Sequence, residues 1–450
     1  MFPLLFALFA RRECLGVLSF LLLAGLLTAP AEAAPFSFAR MTSGYGIAGS
    51  AALDSGQLAF AGRGQDNVWG IHIGPVGGPY QRVVDDSSVV SGAASPLDNF
   101  YFDFGFDAGR VAFYGGRNES TGIYLYADGS IHRIADRTTA IPGTAKTFGV
   151  LHWPPSIDNG LIAFDGQSGT TPGVKPLRGA YLARNGELSR IADTTMHTPG
   201  DTRNFSDSFG SSTIDGNKVA FIGNRFDRPG IYLHDLETGT QSRLVDTNTS
   251  VPGHEKNFSG FRTDDLDLDG DKVAFIGTAY PMAGVYVADG DSGSLTTIGE
   301  SDMLIPGTDS ERFESGFTSV SIDEGRVAFG YLSGGPPILQ SIGAESEPEF
   351  YGVYSNLSGS LAKVIATGDT LDEKLVLRAY VGRQGLQGDQ ILTEVSFADG
   401  TEALYVATLI PEPGTLVLLA SGCLAVAVMA RSHRRSRKFG IGHAAPPSPR

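Results

Sequence analysis

The sequence predicts an all-β fold, a seven-bladed β-propeller built from four-stranded repeats of about 54 residues. Three observations lead to this prediction. A short Val/Ile-Ala-Phe pattern recurs along the chain, each repeat contains four strand-like pieces, and 59 glycines with only 18% charged residues indicate a turn-rich β-type chain. Self-similarity at a fixed period is the signature of a repeat architecture.

The Val/Ile-Ala-Phe strand is the most regular element of the repeat. Seven copies occur at intervals of 51 to 64 residues, and the seventh is degenerate. An Asp-Gly type turn precedes six of them, because aspartate can cap a tight turn and glycine accepts a positive φ. The copies are Leu58-Ala59-Phe60, Val111-Ala112-Phe113, Ile162-Ala163-Phe164, Val219-Ala220-Phe221, Val273-Ala274-Phe275, Val327-Ala328-Phe329 and Ile391-Leu392-Thr393.

The two faces of this strand indicate how the repeats pack. Side chains alternate across a strand, so the valine and the phenylalanine point one way and the alanine points the other. Neither face is polar, and both must therefore be covered. Sheets stacked like propeller blades meet this demand, with each phenylalanine filling the space beside the alanine of a neighbouring blade.

Three further strands complete the predicted repeat. A Gly-apolar-Tyr strand follows the Ala-Phe strand, and an Arg-apolar-apolar-Asp strand follows that. A turn with proline and then glycine at its central positions, which suits a type II β-turn, then leads into a strand that bears a phenylalanine. The phenylalanines of this last strand are Phe148, Phe205, Phe258 and Phe317.

The two ends of the repeat region predict ring closure. The last repeat ends after Tyr405–Thr408 and lacks the Arg-apolar strand, whereas an unassigned strand-like segment, residues 36–41, precedes the first repeat. We expect this N-terminal strand to complete the seventh blade and so remove an open edge. An open β-solenoid is the main alternative, but its coils are usually shorter.

The N-terminus has the features of a secretory signal. Arg11-Arg12 precedes an apolar run, residues 15–27, and a small-residue site, Ala31-Glu32-Ala33, follows. The sequence thus predicts a signal peptide at 1–33 and an exported body at 34–410. Cys14 and Cys423 lie in the end segments, so the body has no thiol for disulfides or metal ligation.

The C-terminal segment has three parts in a fixed order: a Pro-Glu-Pro motif, an apolar span at 415–430 and a basic cluster that ends at residue 438. This order resembles the PEP-CTERM sorting signal, which implies processing by an exosortase and membrane insertion through the span beforehand. A plain single-span anchor is the alternative. Residues 411–438 are assigned to this signal and 439–450 to a basic, Pro-rich extension. The motif residues are Pro411, Glu412, Pro413, Arg431, Arg434 and Arg435.

The repeats together with this tail are similar to exosortase-sorted surface proteins that carry NxxGxxAF-type, choice-of-anchor repeats. The similarity covers residues 36–409. It implies a protein exported through the inner membrane to the cell envelope, the cell surface or the extracellular matrix.

The charge of the chain argues against nucleic acid as a partner. The net charge is −15, and because the N- and C-terminal segments carry 0 and +5, the body carries −20. Phosphate backbones are repelled by such a surface.

One stretch has the spacing of a calcium loop. Asp265, Asp267 and Asp269 form an Asp-x-Asp-x-Asp-Gly pattern that can direct carboxylates at a hard cation. The EF-hand position of the bidentate glutamate is Ile276, however, and Asp269-Gly270 also serves as a repeat turn. A solvated acidic strand and turn is the alternative interpretation. No other cofactor is predicted.

No catalytic residue is predicted. The sequence contains no nucleophile elbow, phosphate loop or dinucleotide fingerprint, and its histidines lack zinc-site spacing. The aspartates that recur in every repeat are attributed to folding, so an acid that appears only once is the better catalytic candidate.

The resulting functional prediction is a non-enzymatic binding or structural propeller, whose partner is an exopolysaccharide or another surface protein. A glycan-active enzyme and a calcium-stabilised adhesin are the alternatives.

Overall fold

A computed structural model describes residues 36–93, 95–116, 120–152, 154–170, 172–206, 208–226, 228–333 and 350–410. The predicted signal peptide and the predicted sorting segments lie outside these residues. The described chain contains thirty strands and no α-helix, so it has no helix that would cross a membrane. Residues Ser37–Leu409 form one compact unit.

The strands follow one another with short connections. In chain order they are β1 (Phe36–Arg40), β2 (Gly46–Asp54), β3 (Gln57–Arg63), β4 (Trp69–Pro75), β5 (Gln81–Val84), β6 (Phe100–Asp107), β7 (Arg110–Gly115), β8 (Gly122–Ala127), β9 (Ser130–Asp136), β10 (Phe148–Leu151), β11 (Ser156–Asp158), β12 (Leu161–Ser168), β13 (Arg178–Arg184), β14 (Glu187–Asp193), β15 (Phe209–Asp215), β16 (Lys218–Arg225), β17 (Arg228–Asp235), β18 (Gln241–Asp246), β19 (Gly260–Asp269), β20 (Lys272–Ala279), β21 (Met282–Asp289), β22 (Leu295–Glu300), β23 (Phe317–Asp323), β24 (Arg326–Leu332), β25 (Tyr351–Ser355), β26 (Ala362–Ala366), β27 (Thr370–Leu371), β28 (Lys374–Gln387), β29 (Gln390–Phe397) and β30 (Glu402–Leu409).

These strands form seven antiparallel sheets, which confirms the predicted seven-bladed propeller. Blades 1, 2, 4, 5 and 6 are the consecutive strands β2–β5, β6–β9, β15–β18, β19–β22 and β23–β26. In blade 3 the inner strand is split into β10 and β11, which both pair with β12. Blade 7 has the order β1-β30-β29-β28-β27.

The position of β1 confirms the predicted closure of the ring. It lies against β30 and is therefore the outermost of the four full-length strands of the last blade. The main-chain N–H of Met41 donates to the Leu404 carbonyl at 2.8 Å, and the Leu404 N–H donates to Thr42 Oγ1 at 2.9 Å. Strands from both ends of the body thus share one sheet.

The spaces between blades contain the core, as the strand pattern predicts. Phe275 of blade 5 packs in one apolar cluster with Ala220 of blade 4, and Phe329 of blade 6 packs with Ala274 of blade 5. The six repeat phenylalanines are almost completely buried. Each blade therefore covers the apolar face of its neighbour.

The phenylalanine predicted on the fourth strand has a different place in two repeats. Phe148 and Phe317 begin β10 and β23, but Phe205 and Phe258 precede β15 and β19. The main-chain contact with the preceding Pro-Gly loop is the same in both arrangements, since the Phe205 N–H donates to the Met196 carbonyl at 3.0 Å and the Phe148 N–H donates to the Thr139 carbonyl at 3.1 Å. The rings of Phe148, Phe205 and Phe258 pack against the repeat Phe and Tyr of their blades, whereas in blade 6 Phe313 has that place and Phe317 packs against Phe329 and Tyr331.

The turn aspartates join neighbouring blades, and the sequence interpretation of them as simple bends is incomplete. Each carboxylate accepts a main-chain N–H from the turn of the next blade instead of capping only its own turn. Six such bonds and one side-chain bond from Gln387 close a complete ring around the axis. The donor–acceptor pairs are Ala108 N to Asp54 (2.6 Å), Gly160 N to Asp107 (3.2 Å), Gly216 N to Asp158 (2.7 Å), Gly270 N to Asp215 (2.7 Å), Gly325 N to Asp269 (2.8 Å), Gly388 N to Asp323 (2.6 Å) and Gln387 Nε2 to Asp54 (3.2 Å).

Asp215→Ala is expected to lower the free energy of unfolding by about 0.5–1.5 kcal/mol, because the exposed Gly270 N–H loses its hydrogen bond to the carboxylate. Asp215→Asn is the matched control, since it keeps an acceptor oxygen. Burial and the neighbouring ring carboxylates raise the pKa of Asp215, so removal of its charge does not destabilise the ring at pH 7. Urea unfolding measures both variants, and equal losses for Ala and Asn would contradict the hydrogen-bond role.

Candidate functional site

An axial cavity of about 1000 Å³ lies where the inner strands of the blades begin. The aspartate ring lies at the opposite ends of the same strands and lines a separate, narrower space. The cavity wall is mixed in character and combines carboxylates and guanidinium groups with aromatic rings. Its principal side chains are Asp103, Phe104, His152, Asp165, Arg178, Phe209, Asp265, Tyr380, Arg383 and Glu394.

A bulge in β28 closes the bottom of this cavity. Val381 pairs with Thr393 and Leu386 pairs with Ile391, so four residues of β28, 382–385, face a single residue of β29. Extra residues in one strand of a pair bend that strand and redirect its side chains. The bulge thus projects towards the axis.

Side chains of the bulge reach blades on different sides of the ring. Gln384 accepts the Phe106 N–H at 3.0 Å and donates to the Phe106 carbonyl at 3.1 Å, in blade 2. Arg383 donates to the Leu266 carbonyl at 3.2 Å, in blade 5. Arg383 lines the axial cavity, here called the upper cavity. Gln384 lines the narrower space beside the aspartate ring, here called the lower space, so the bulge separates the two. The upper cavity is blind.

A close approach explains the first glycine of the bulge. A Cβ on Gly382 would lie 2.7 Å from the carbonyl oxygen of Ala51 in blade 1. This distance is shorter than any ordinary contact, so a side chain at this position would displace the bulge from the axis.

Asp165 and Glu394 occupy the same position of the repeat. Each follows the third residue of the Ala-Phe pattern, where blades 1, 4 and 5 carry alanine or isoleucine. Both side chains line the axial cavity. Two of the seven repeats therefore place a carboxylate where several others place an apolar residue.

The environments of these two carboxylates shift their titration towards neutral pH. Burial raises the pKa of Asp165 to about 6, although hydrogen bonds from Ser212 and the charge of Arg383 oppose the shift. The Ser212 N–H and Oγ–H donate to Asp165 at 3.0 and 2.6 Å. Burial, reinforced by Glu402, raises the pKa of Glu394 to about 7. Carboxyl groups of this kind can exchange protons near pH 7.

His152 lies where the inner strand of blade 3 is interrupted. Pro154 and Pro155 separate β10 from β11, because proline lacks the N–H that a continuous ladder requires. The His152 main-chain N–H donates to the Asp165 carbonyl at 2.9 Å. Burial and the positive charge of Arg178 lower the pKa of His152, so its imidazole is neutral at pH 7.

The predicted calcium residues are divided between the two spaces. Asp265 lines the upper cavity and pairs with Arg262 at 2.8 Å, whereas Asp267 and Asp269 line the lower space. Asp267 accepts the Ile322 N–H at 3.0 Å, and Asp269 is part of the aspartate ring. Among the described residues, no three His, Cys, Asp or Glu side chains form a group suited to a metal ion. Calcium binding stays a prediction that no contact here favours.

The sorting residues Pro411, Glu412, Pro413, Arg431, Arg434 and Arg435 lie outside the described residues. The cavity residues were not predicted. An alignment of the repeats position by position, carried through the degenerate seventh copy, would show Asp165 and Glu394 as carboxylates at a position that is apolar in several other repeats.

Glu394→Gln is expected to flatten the pH dependence of stability between about pH 4.5 and 7. The pKa of Glu394 is higher in the folded state than its usual value of 4.5, so its contribution to stability is full below that value and is lost as pH rises through about 7. The expected gain at pH 8 is roughly 3 kcal/mol. Urea unfolding across this pH range measures it, with exposed Glu255→Gln as the control. A profile unchanged by E394Q would show that Glu394 titrates as an ordinary carboxyl group.

The closed ring, the β28 bulge and the axial cavity define a seven-bladed β-propeller with a central pocket. The chain belongs to DUF7453, a family of unknown function, whose sequence profile matches residues 53–372. A comparison with curated proteins found no match.

Solved structures that are similar to the chain include a β-propeller domain. One is an oligogalacturonate lyase in complex with manganese, with a TM-score of 0.48 and 13% identity over 84% of this chain and 97% of that chain. The oligogalacturonate lyase of Vibrio parahaemolyticus has a TM-score of 0.47 and 14% identity, with the same coverage. The β-propeller domain of the Trilobed protease from Pyrococcus furiosus has a TM-score of 0.37 and 14% identity over 60% of this chain and 72% of that domain.

Proposed function

We propose that this protein is an exported, non-enzymatic β-propeller of the cell surface or extracellular matrix, which binds a segment of an extracellular glycan in its axial cavity. The observation that supports the ligand site is the cavity that is closed by the β28 bulge and lined by both charged and apolar side chains. A concave site with a few convergent polar groups is the usual form of a small-molecule or oligomer binding site.

The chemistry of the wall favours a polyhydroxylated ligand. Arg178 and Arg383 supply only donors, whereas carboxylates such as Asp103 supply acceptors, and a sugar hydroxyl can satisfy either kind of group. Phe209, which is only partly buried, adds apolar ring surface suited to the C–H faces of a pyranose.

The export part of the proposal is supported by the two end segments. The N-terminal signal pattern and the resemblance of residues 411–438 to a PEP-CTERM signal favour delivery to the envelope by an exosortase, as in surface proteins with AF-type repeats. Fractionation of the tagged protein in cells with and without the exosortase tests this part. Retention of the same C-terminal span in both backgrounds would contradict it.

A glycan-active enzyme is the second candidate, and Asp165 and Glu394 favour it. Both carboxyl groups line one cavity, and their pKa values of about 6 and about 7 suit proton transfer near neutrality. Glycoside hydrolysis generally uses two such carboxyl groups.

One experiment separates binding from catalysis. The purified protein is incubated with exopolysaccharide from the producing cells, and the product length and the bound fraction are both measured. Binding is expected without shortening of the polymer, and E394Q is expected to weaken binding relative to Glu255→Gln. Depolymerisation that is lost in Asp165→Asn and E394Q would establish the enzyme instead, and a polymer that is neither retained nor cut would refute the cavity as a glycan site.

A further inference from the structure

Two exposed aromatic side chains occupy corresponding hairpins of neighbouring blades. Arg225 pairs with Arg228 in blade 4, and Ala279 pairs with Met282 in blade 5, so each hairpin connection has two residues. The first residue of each connection is aromatic: Phe226 is 64% exposed and Tyr280 is 87% exposed.

Both hairpins lie on the side of the ring where the axial cavity opens. The strands β16 and β20 begin beside the aspartate ring and end at the opposite side. At that side the Asn224 N–H donates to the carbonyl of Ser208, which lines the cavity, at 3.1 Å. Strands are spaced about 4.8 Å apart, so a hairpin between the second and third strands lies roughly 5–10 Å outside the cavity wall.

The backbone at Phe226 does not suit its side chain. Its φ is +56°, a left-handed conformation that two-residue hairpins usually assign to Asn, Asp or Gly. Neither the backbone conformation nor burial of the ring therefore favours phenylalanine at position 226. An outlier that local structure does not explain is a reason to look for a functional contact.

We propose that Phe226 and Tyr280 form an aromatic platform at the cavity mouth, which stacks against sugar rings of a neutral polysaccharide whose next segment enters the cavity. This inference rests on the proposed function and adds the class of polymer and a second subsite. Flat aromatic faces complement the C–H faces of pyranose rings, and both hairpins border the mouth through which a bound polymer would leave.

The charge of the body selects a neutral polymer over an acidic one. With a net charge of −20, the propeller repels a polyanion at long range. Aromatic stacking needs no charge on the sugar, so the platform retains a neutral chain.

The test compares polymer with oligomer binding by the purified full-length protein. The probes are exopolysaccharide from the producing cells, neutral and acidic polysaccharides on an array, and neutral oligosaccharides of two or three sugars. The Phe226→Ala/Tyr280→Ala double variant is expected to lose about tenfold in affinity for the neutral polymer and to bind the short oligomers as wild type does. Val89→Ala, another exposed apolar position, is the control.

A stability measurement separates this role from a structural one. Phe226→Asn is expected to keep or raise the melting temperature, by roughly 1–3 °C, because asparagine tolerates the left-handed backbone, and to weaken polymer binding at the same time. A fall in both stability and binding would assign Phe226 a structural role. If the double variant binds the polymer with wild-type affinity, the platform alone is refuted. If the wild-type protein binds acidic polymers more tightly than neutral ones, the selectivity for neutral polymers is refuted. If the wild-type protein binds no glycan, the proposed function is refuted as well.

Discussion

Deletion of residues 34–42 is expected to lower the melting temperature by about 5–10 °C, because it removes the strand that completes blade 7. The deletion exposes the edge of β30 and leaves the Leu404 N–H without Thr42 Oγ1, which lies 2.9 Å away in the intact ring. Thr42 is only 2% exposed, so this loss occurs in a buried environment, where an unsatisfied donor is most costly. Differential scanning calorimetry measures the change.

A rearranged chain provides the control for this deletion. In blade 7, β30 and β1 are antiparallel neighbours, so residues 36–42 can be attached after Leu409 through an Asn-Gly turn to form a hairpin. This chain is expected to recover most of the lost stability, because the same pairing forms without the original connection to β2. A deletion variant that melts as the wild type does would show that the ring does not depend on β1.

The blade architecture could be predicted from sequence because its causes are local and repeated. Alternation in Val-Ala-Phe places apolar groups on both faces of a strand, and only stacking on both sides covers them. The ring of aspartates was not predicted, although every member was identified as a turn residue. Its acceptor and donor belong to different repeats, as with Asp215 and Gly270, and turn preferences describe only one repeat at a time.

The cavity depends on departures from the repeat, and for that reason the repeat pattern concealed it. The bulge that carries Arg383 lies within β28, a strand of 14 residues. In the sequence, the glycines of the bulge look like those of an ordinary turn. Glu394 follows Thr393 in the seventh copy, which has lost the phenylalanine that marks the position in the other six. Functional sites are expected where the residues depart from the local sequence pattern that the fold requires. In this chain the disagreements are in blades 3 and 7.

Phe275→Ala is expected to lower the free energy of unfolding by about 3–5 kcal/mol, which is the usual cost of removing a large buried ring. Phe275 is fully buried, its ring centroid lies 5.7 Å from that of Tyr286 and 5.9 Å from that of Phe258, and it packs across the gap against Ala220. Its removal leaves a cavity between two blades that are joined by packing and by few hydrogen bonds. Urea unfolding measures the change.

Two further variants show whether the loss arises from the gap between blades. Phe226→Ala removes the same side chain at an exposed site and is expected to change stability by less than about 0.5 kcal/mol. Ala220→Leu, added to Phe275→Ala, is expected to recover part of the loss, because the new side chain enters the vacated volume from the facing blade. Ala220→Leu alone is expected to overpack this gap and to lower the free energy of unfolding. The effects of the two substitutions on that free energy are therefore expected to be strongly non-additive. Simple additivity would mean that Ala220 and Phe275 do not share one space, and that the blades are held together by other contacts.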